Sequence, residues 1–367
     1  MVGMRVCQPE PLQDYVGGVV RAMGADAEIA GEVARHLVRS NLSGHDSHGV
    51  LRIAQYVTQA DKGDLVPGAH PTMMRETPVT ALIDAHRGFG HFSTAFGLEW
   101  AMNQARQHGL AAAAVRHSSH IGRLGEYTER AGEQGLIAIL TVGASGAGVG
   151  GMVPFGGSRR FLGSNPWSMG IPAKGYAPVV FDGSSSTVAE GKVRFARAKG
   201  AALPVGCIQD REGNPTTDPE DFYAGGALVP LGGSVAGHKG YGLALASALI
   251  GGLAMIDDAA HTLIGASVVQ DVGDNRGQVA GVFLMVINPA WYGNAQHYQA
   301  LVGENLVALK RTPPATAVEE VLLPGEPEAR TRAQRQREGI ALPEATWADF
   351  TKVSERFGVP LPEHRPA

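Results

Sequence analysis

The segment from Ser47 to Tyr56 (SHGVLRIAQY) holds the residue types best suited to binding and protonating a small carboxylic acid. We predict that a helix begins here, capped by a side-chain oxygen of Asp46 or Ser47. His48, Arg52 and Tyr56 then lie four residues apart on one helix face. Arginine binds a carboxylate through two parallel hydrogen bonds, and histidine exchanges a proton near neutral pH. Taken alone, however, the pattern is better explained by a solvated face whose arginine pairs with a nearby acid.

A second group of polar residues follows a predicted buried strand. Residues 110–116 (LAAAAVR) are apolar and bounded, which is typical of a buried strand, and residues 117–120 (HSSH) form the loop at its carboxyl end. Such loops often line binding sites in α/β proteins, although a histidine there is more often a hydrogen-bonded turn residue. Serine beside histidine also suggests acyl transfer, but the chain has no G-x-S-x-G motif, so a hydrolase has little support.

Metal binding is the alternative use of the first histidines. His45 and His48 lie three residues apart with Asp46 between them, whereas zinc-binding histidines on a helix normally lie four apart. A capped turn explains this spacing better, although a metal-dependent lyase or hydrolase stays open as a second hypothesis. The two cysteines, Cys7 and Cys207, are far apart, which argues against a disulfide framework or a cysteine zinc site.

Gly146, Gly148 and Gly151 match the dinucleotide pattern G-x-G-x-x-G after a strand predicted over 136–142. A Rossmann site also needs a helix that begins at these glycines and an acid about 20 residues further on. The next residues, 152–157 (MVPFGG), predict a turn, and the acid is absent from the sequence. We therefore reject a Rossmann fingerprint at these glycines.

Lys239 lies at the start of an apolar helix predicted over 238–254. A cation at a helix N-terminus opposes the helix dipole, so it requires a compensating anion. This anion would be either a protein carboxylate or a phosphate of a ligand. A solvent-exposed lysine without such a partner explains the sequence equally well.

The composition indicates a globular protein with a large core. Of 367 residues, 44% are hydrophobic and 18% are charged, and the length suggests two structural units. A formal net charge of −4 gives no reason to expect a nucleic-acid partner. The N-terminus lacks a secretion signal, and the apolar runs stop short of the ~20 residues of a membrane span. We therefore expect a cytoplasmic protein without a membrane or nucleic-acid partner.

Helical periodicity at both chain ends and strand–helix–strand alternation between them predict an α/β fold. Asp26 should cap the second helix, Ser93 or Thr94 should cap the fourth, and residues 183–236 hold many turn signals. The predicted helices span 11–23, 27–42, 47–63, 93–108, 123–134, 238–254, 296–310, 328–338 and 344–357. The predicted strands span 79–84, 110–116, 136–142, 168–171 and 279–288.

In order along the chain, nine short segments resemble the type-2 malate/L-lactate dehydrogenase family. That family also contains ureidoglycolate and sulfolactate dehydrogenases, diketogulonate reductase and cyclic-imine reductases. Each segment alone is weakly diagnostic, but all of them in the family's order over nearly the whole chain are a strong signal. The segments are 46–50 (DSHGV) with Arg52 and Tyr56, 116–122 (RHSSHIG), 153–157 (VPFGG), 163–166 (GSNP), 182–192, 215–219 (PTTDP), 231–233 (LGG), 238–242 (HKGYG) and 324–326 (PGE).

The resemblance implies a non-Rossmann α/β fold, a helical domain built from both chain ends, and a homodimer. It implies hydride transfer between NAD or NADP and a small 2-hydroxy acid, such as malate or lactate, or its 2-oxo form. Reduction of a cyclic imino acid is the alternative within the family. We accordingly expect a helical segment over 1–77 on the substrate side, an α/β cofactor-binding domain over 78–290, and a helical segment over 291–367 that packs with the first.

The motif match implies that His120 is the general acid/base. His48 is its rival, because the histidine of this helix face is the assigned proton donor in some family members. Ser47, Arg52 and Tyr56 are implied to contact the substrate, and no residue is implied to bind a metal. The implied cofactor contacts are Ser145, Asp182, Gly183, Ser184, Lys239, Pro324, Gly325 and Glu326.

Two departures from the family pattern concern the cofactor side. Many members have Thr-Asn-Ser where this chain has residues 141–145 (TVGAS), and here a longer glycine run precedes Pro154. Many members also have Gly-Thr-Asn-Pro, where this chain has Ser164 in place of the threonine. The first departure keeps a third hypothesis open, which is a relative that binds the cofactor but has lost turnover.

Overall fold

The computed structural model describes residues 4–146, 149–256 and 281–366. Within these ranges the α-helices are α1 (Pro9–Ala22), α2 (Ala27–Leu42), α3 (Ile53–Asp61), α4 (Gly90–His108), α5 (Gly125–Glu133), α6 (Glu190–Lys199), α7 (Pro219–Tyr223), α8 (Gly233–Gly251), α9 (Ala295–Lys310), α10 (Glu326–Glu338) and α11 (Glu344–Phe357). The strands are β1 (Met4–Cys7), β2 (Thr72–Glu76), β3 (Thr80–Asp84), β4 (Leu110–Arg116), β5 (Ile137–Gly143), β6 (Trp167–Ile171), β7 (Val179–Gly183), β8 (Ile208–Gln209), β9 (Pro215–Thr216), β10 (Ala227–Leu228), β11 (Gly281–Ile287), β12 (Ile340–Pro343) and β13 (His364–Pro366).

The first two helices follow the apolar periodicity of the sequence. α2 begins where predicted because Asp26 accepts hydrogen bonds from the backbone N–H groups of Glu28 and Ile29, at 3.0 and 2.9 Å. This cap is confirmed. The cap predicted for α4 is wrong, because that helix starts earlier and encloses Ser93 and Thr94 as buried residues.

The helix predicted to begin at Ser47 starts in the wrong place. Two single turns of 3-10 helix precede α3, and the extended backbone of Gly49 (φ −91°, ψ −157°) separates them. Glycine is required there because a Cβ would lie 2.1 Å from Oδ1 of Asn41, which accepts a hydrogen bond from the backbone N–H of Val50. The segment therefore bends at Gly49 instead of presenting one continuous helix face.

Within the described residues, neither Asp46 nor Ser47 caps a helix as predicted. The carboxylate of Asp46 pairs with Arg335 of α10 at 2.6 Å and accepts a hydrogen bond from Nδ2 of Asn41. Ser47 contributes its backbone carbonyl, which accepts a hydrogen bond from Nε of Arg52 at 2.7 Å. Asp46 therefore serves a long-range contact, and Ser47 fixes the side chain of Arg52, rather than either residue capping a helix.

The middle of the chain forms a mixed seven-stranded sheet in the order β2-β3-β4-β11-β5-β6-β7. β3 and β4 are parallel, and the other neighbouring strands are antiparallel. β4 is covered on both faces, since Val115 packs in the cluster that contains Leu98 of α4, whereas Ala114 packs with Met255 after α8. The predicted α/β class is confirmed at this level. Residues 279–280 of the predicted last strand lie outside the described residues.

Some short elements were not predicted from the sequence. β1 pairs with β12 and β13, so a small three-stranded sheet ties the two chain ends together. Strands of three or four residues are too short to show a period. α6 lies within the stretch predicted to hold turns. It was missed because half of its residues (EGKVRFARAK) are charged and it shows little apolar pattern. β2 and β7 are also absent from the predicted strands.

A buried apolar cluster joins the helices of both chain ends. It includes Leu12, Leu37, Ile53, Trp347 and Phe350. α9 lies elsewhere, beside the loop between β6 and β7, where the backbone N–H of Lys174 donates to the carbonyl of Gln299 at 3.0 Å. The domain limits themselves stay a prediction. Among the helices that the structure describes, none is both long and apolar enough to cross a membrane.

Candidate active site

The loop that carries His120 is fastened to the edge where β3 and β4 end. Because these strands are parallel neighbours, Asp84 at the end of β3 lies beside Arg116 at the end of β4. The buried carboxylate of Asp84 accepts a hydrogen bond from Nε of Arg116 at 2.9 Å and lies 3.0 Å from Nδ1 of His117. These bonds hold the start of the loop, which then brings His120 against residues 46–56.

His120 lies between two residues of the predicted helix face, His48 and Tyr56. Its Nε2 lies 3.3 Å from Nδ1 of His48, and the two imidazole planes are within 5° of parallel. Its Nδ1 lies 2.8 Å from the hydroxyl of Tyr56. The structure therefore brings three predicted site residues together, and each nitrogen of His120 has a hydrogen-bonding partner.

Tyr56 is fully buried, and its hydroxyl lies between two histidines. Besides His120, this hydroxyl meets Nε2 of His91 at 3.3 Å, a residue to which the sequence assigned no role. Burial raises the pKa of the phenol far above its usual range, although the charge of Arg52 opposes the effect. The phenol therefore stays protonated, and any influence of Tyr56 on a substrate would act through His120.

Both histidines of the pair are neutral near pH 7. Burial lowers the pKa of His48 to about 3, and the positive charge of Arg52 adds to the effect. Burial, with smaller contributions from His48 and Arg52, holds the pKa of His120 well below its ordinary value. A neutral imidazole carries one N–H donor and one lone pair, so the hydrogen-bond partners of each ring decide which of the two faces a substrate.

Arg52 carries a charge with which no carboxylate pairs in the part of the chain that the structure describes. Its Nε donates to the backbone carbonyl of Ser47, and its Nη1 donates to Oε1 of Gln55 at 2.6 Å. Burial lowers the pKa of the guanidinium, which shows that the charge is poorly solvated. The nearby acid that would make this arginine an ordinary surface residue is not among its contacts.

α6 closes one side of this segment. A Cβ on Gly191 would lie 3.6 Å from the side chain of Ser47, so the two backbones approach closely. Arg194 of α6 adds a second positive charge that lowers the pKa of Arg52, and Glu190 opposes it. The sequence signal for this helix was the family motif at 182–192, since its periodicity is weak.

Backbone segments of the predicted cofactor side meet at Asn165, to which the sequence assigned no role. Its Oδ1 accepts a hydrogen bond from the backbone N–H of Ala144 at 3.0 Å, and its Nδ2 donates to the carbonyls of Ala144 and Ala244. The hydroxyl of Ser185 donates to the carbonyl of Asn165 at 2.7 Å. Asn165 has φ 38°, a left-handed conformation that asparagine tolerates, and its place in the 163–166 motif was the available signal.

Ser145, Gly183 and Ser184 adjoin the residues that Asn165 holds. Ser145 forms a β-bridge with Leu162, and Gly183 ends β7. The hydroxyl of Ser184 accepts a hydrogen bond from the backbone N–H two residues further on, at 2.9 Å. These positions leave the predicted cofactor contacts as predictions.

The glycines of the dinucleotide-like match are described in part. Gly148 lies outside the described residues, and the backbone N–H of Gly146 donates to the carbonyl of Phe161 at 2.8 Å. Residues 152–157 contain no helix in the structure, as the sequence predicts. The local requirement of a Rossmann turn is therefore not met at this position.

The structure explains Asp182 without a cofactor. Its Oδ2 accepts a hydrogen bond from the backbone N–H of Gly125 at 2.7 Å, at the start of α5, and lies 3.6 Å from Nε of Arg123. Burial raises the pKa of this carboxyl group, and the charge of Arg123 opposes the rise. The group stabilises a helix N-terminus, so its predicted cofactor contact draws no support from this geometry.

Pro324, Gly325 and Glu326 also have partners inside the protein. The carbonyl of Pro324 accepts a hydrogen bond from the backbone N–H of Val180 at 3.2 Å, and Glu326 pairs with Lys310 at 3.0 Å. Gly325 adopts φ 89° immediately before α10. This turn fastens α10 to β7, and its cofactor contact stays a prediction.

Lys239 is exposed and lies in the first regular turn of α8, after a break in helical geometry at Ala236 (φ −133°). Over residues 4–146, 149–256 and 281–366, no carboxylate lies within salt-bridge distance of it. This is the solvent-exposed lysine that the sequence allowed, and its contact with a ligand phosphate stays a prediction.

His45, Asp46 and His48, the residues of the metal-binding hypothesis, each contact a different partner. Nε2 of His45 lies 3.1 Å from Glu328, Asp46 pairs with an arginine of α10, and His48 contacts His120. The described residues contain no group of three side chains that could hold a metal ion. The geometry gives this hypothesis no support.

Comparison with known proteins identifies the relatives of this chain. Residues 7–351 match the family model of malate/L-lactate dehydrogenases. The chain belongs to this family. It is 32% identical over 357 residues to hydroxycarboxylate dehydrogenase B of Escherichia coli (strain K12), which covers 96% of this chain and 94% of the relative. The family inferred from the nine motifs is confirmed, and the chain is thus related to hydroxy acid dehydrogenases, which implies a nicotinamide cofactor.

Two solved structures share the fold. Malate dehydrogenase from Entamoeba histolytica superposes with a TM-score of 0.91 at 26% identity, covering 98% of this chain and all (100%) of that one. The delta1-piperideine-2-carboxylate reductase from Pseudomonas syringae pvar. tomato superposes with a TM-score of 0.81 at 28% identity, covering 95% and 99%. The family fold thus accompanies both a hydroxy acid dehydrogenase and an imino acid reductase.

Proposed function

We propose that this protein is an NAD- or NADP-dependent oxidoreductase that transfers hydride between nicotinamide and a small 2-hydroxy acid, such as malate or lactate, or its 2-oxo form. The observation that carries the proposal is Arg52, a poorly solvated charge near two neutral histidines, with which no carboxylate of the described residues pairs. A guanidinium in this state favours an anionic ligand, and carboxylates match its geometry. The names of the relatives support the substrate class.

The proposed roles follow from the contacts. Arg52 binds the substrate carboxylate, and its bonds to Ser47 and Gln55 keep the guanidinium in place, which orients the carbon that bears the hydroxyl. His120 and His48 are the proton-carrying pair, and Nε2 of His48 has no partner in the described ranges. Such an acid/base is typically worth ~10²–10⁴-fold in rate. When bound, nicotinamide supplies the site that accepts or gives the hydride.

The proposed cofactor site lies on the α/β domain over 78–290, with a non-Rossmann arrangement. Lys239 would pair with the phosphates, and the backbone that Asn165 holds would lie close to the dinucleotide, with Ser145, Gly183 and Ser184 on its surface. Glycine-rich backbone permits such a close approach. The choice between NAD and NADP belongs to the same experiment as the substrate.

The alternative within the family is reduction of a cyclic imino acid, which the similarity to the piperideine-carboxylate reductase favours. A panel of 2-oxo acids and cyclic imines, each with NADH and NADPH, tests both. Turnover of a 2-oxo acid supports the proposal, and turnover of cyclic imines alone supports the alternative. Cofactor binding without turnover indicates a relative that has lost activity. Neither turnover nor cofactor binding, measured by calorimetry, refutes both.

We also propose a homodimer. α8 and the turn after it expose apolar side chains that water solvates poorly, namely Leu243, Leu249, Leu253 and Ile256, which are 43%, 49%, 46% and 62% exposed. A second copy of the chain would bury them. Light scattering tests this proposal, because a Leu249→Glu variant should then have half the mass of the native assembly, while a native monomer would refute it.

A further inference from the structure

Behind His120 lies a histidine that the proposed mechanism does not use. His91 belongs to the first turn of α4, and its side chain is fully buried. Its Nε2 lies 3.3 Å from the hydroxyl of Tyr56, which itself lies 2.8 Å from Nδ1 of His120. His120 in turn contacts His48 through its other nitrogen. The four side chains form a continuous hydrogen-bonded chain from the protein interior to the candidate active site.

The surroundings of His91 give its ring little freedom. The ring centroid lies 4.8 Å from that of His36 and 5.5 Å from that of Tyr56, and both contacts are edge-on. The loop that carries His120 also passes close, since a Cβ on Gly122 would lie 2.9 Å from Cδ2 of His91. A ring held in this way can keep the Tyr56 hydroxyl in one position.

The protonation state of His91 fixes the direction in which hydrogen bonds are donated along this hydrogen-bonded chain. Burial lowers the pKa of His91 to about 3, so the ring is neutral and donates from one nitrogen. Its Nδ1 has no partner among the described residues. A buried N–H without an acceptor is less tolerated than a buried lone pair, so the proton belongs on Nε2. Nε2 then donates to the oxygen of Tyr56, and the phenol donates to Nδ1 of His120.

We propose that His91, acting through the hydroxyl of Tyr56, is a positioning residue that sets the tautomer and the orientation of His120. Because Nδ1 of His120 accepts a hydrogen bond from the phenol, its proton lies on Nε2 and is donated to Nδ1 of His48. His48 then carries its own proton on Nε2, so the neutral pair presents an N–H donor to a substrate oxygen. The kinetic consequence rests on the proposed function, which assigns proton transfer to the pair of histidines. The tautomer itself depends only on the hydrogen-bonded chain.

A double-mutant cycle tests whether His91 acts through Tyr56. His91→Phe keeps a ring but removes the hydrogen bond, and it should lower kcat about tenfold. Tyr56→Phe should lower kcat by at least as much. The double variant should be no worse than Tyr56→Phe alone, because the hydroxyl through which His91 acts is already gone. KM and the cofactor Kd should change by less than about threefold, since neither side chain is proposed to bind them.

Two further variants separate positioning from packing. His91→Gln retains a side-chain donor and should recover most of the kcat that His91→Phe loses. Phe350→Leu shrinks a buried ring that packs on Tyr15 and Trp347, so it should lower stability but leave kcat within about twofold. Losses of kcat that multiply in the double variant, or a loss of kcat in Phe350→Leu equal to that in His91→Phe, would overturn the proposal.

Nitrogen NMR of protein labelled at histidine gives a readout that needs no turnover. In the native protein the ring of His120 should be a single neutral tautomer with its proton on Nε2, and in His91→Phe it should become a mixture. A proton on Nδ1 in the native protein, or a spectrum of His120 unchanged by His91→Phe, would refute the inference. A native protein that turns over no substrate of the panel but shows this tautomer would instead refute only the proposed function.

Discussion

Two regions of the molecule differ in whether their arginines have carboxylate partners. Where α5 meets α2 and α10, arginines contact carboxylates: Arg332 pairs with Glu129 at 2.6 Å, and Arg39 pairs with Glu126 at 2.9 Å. In the candidate active site, Arg52 has no carboxylate partner in the described part of the chain. Its neighbours there are histidines that burial holds neutral.

The difference separates charges that hold the fold from a charge that is available to a ligand. In a buried ion pair the attraction offsets desolvation, and removal of one partner leaves an uncompensated charge. An unpaired, partly buried guanidinium keeps its desolvation cost until an anion binds. We therefore expect the arginines between α5, α2 and α10, here called the helix interface, to govern stability and Arg52 to govern substrate binding.

The largest expected effect is on activity at Arg52. Arg52→Gln should lower kcat/KM for a 2-hydroxy acid about 10²- to 10³-fold, because the substrate carboxylate loses its charged partner. The free energy of unfolding should change by less than about 1 kcal/mol, since no ion pair is lost. Arg332→Gln is the matched control at the interface and should leave kcat/KM within about threefold. Steady-state kinetics and urea unfolding give both quantities, and the reverse pattern would contradict the comparison.

The interface should respond in stability. Glu129→Gln should lower the free energy of unfolding by about 3–5 kcal/mol, because it leaves Arg332 and Arg123 without their shared carboxylate. Asp61→Asn, which breaks the exposed pair with Arg356, should leave the urea midpoint nearly unchanged, because water screens the pair. Urea denaturation measures both. Equal midpoints for the two variants would show that burial of an ion pair does not increase the stability lost when the pair is broken.

Acid should weaken the fold through the buried neutral histidines. Burial holds the pKa of His91 at about 3 and that of His36 well below its ordinary value. The unfolded chain, with a histidine pKa of about 6.5, therefore binds more protons between pH 6.5 and about 3, and stability falls as pH falls through this window. From pH 6.5 to 5, His91 should cost about 2 kcal/mol. Urea unfolding of His91→Gln should show about 2 kcal/mol less loss than the native protein, and an equal loss would contradict this account.

The smallest expected effects come from two glycines. Gly49→Ala should cost about 1–3 kcal/mol, because the new Cβ would meet Asn41 at the bend before α3. Gly31→Ala, at an exposed position of α2, meets nothing within 4 Å and should gain about 0.5–1 kcal/mol from higher helix propensity. Thermal unfolding should therefore shift in opposite directions for the two variants. Shifts of the same sign would show that the site segment is no more constrained than the interface helix.

Elements with a strong local signal could be predicted from the sequence. α2 has an aspartate cap and clear periodicity, β4 is a bounded alanine-rich run, and α11 matches its predicted limits. The start of α3 could not be predicted, because the bend at Gly49 depends on Asn41 of another helix. The small sheet of the chain ends depends on pairing between residues more than three hundred positions apart, which no local pattern reveals.

The sequence predicted most of the residues that form the site but not the contacts between them. His48, Tyr56 and His120 were candidates, the last through the family motif, and the structure brings them together. That no carboxylate in the described ranges pairs with Arg52 depends on every element packed around this side chain, so no sequence pattern could reveal it. His91 carried no signal, because a lone histidine at a helix start is usually an ordinary buried residue.

The central claim is that Arg52 binds the substrate carboxylate beside the histidine pair. The most direct measurement compares kcat/KM for a 2-hydroxy acid with that for its methyl ester, in the native protein and in Arg52→Gln. The native protein should prefer the acid by about 10²-fold or more, and the variant should lose this preference because the ester and the acid then meet the same neutral side chain. A variant that keeps the native preference would show that the carboxylate is bound elsewhere, and the claim would be wrong.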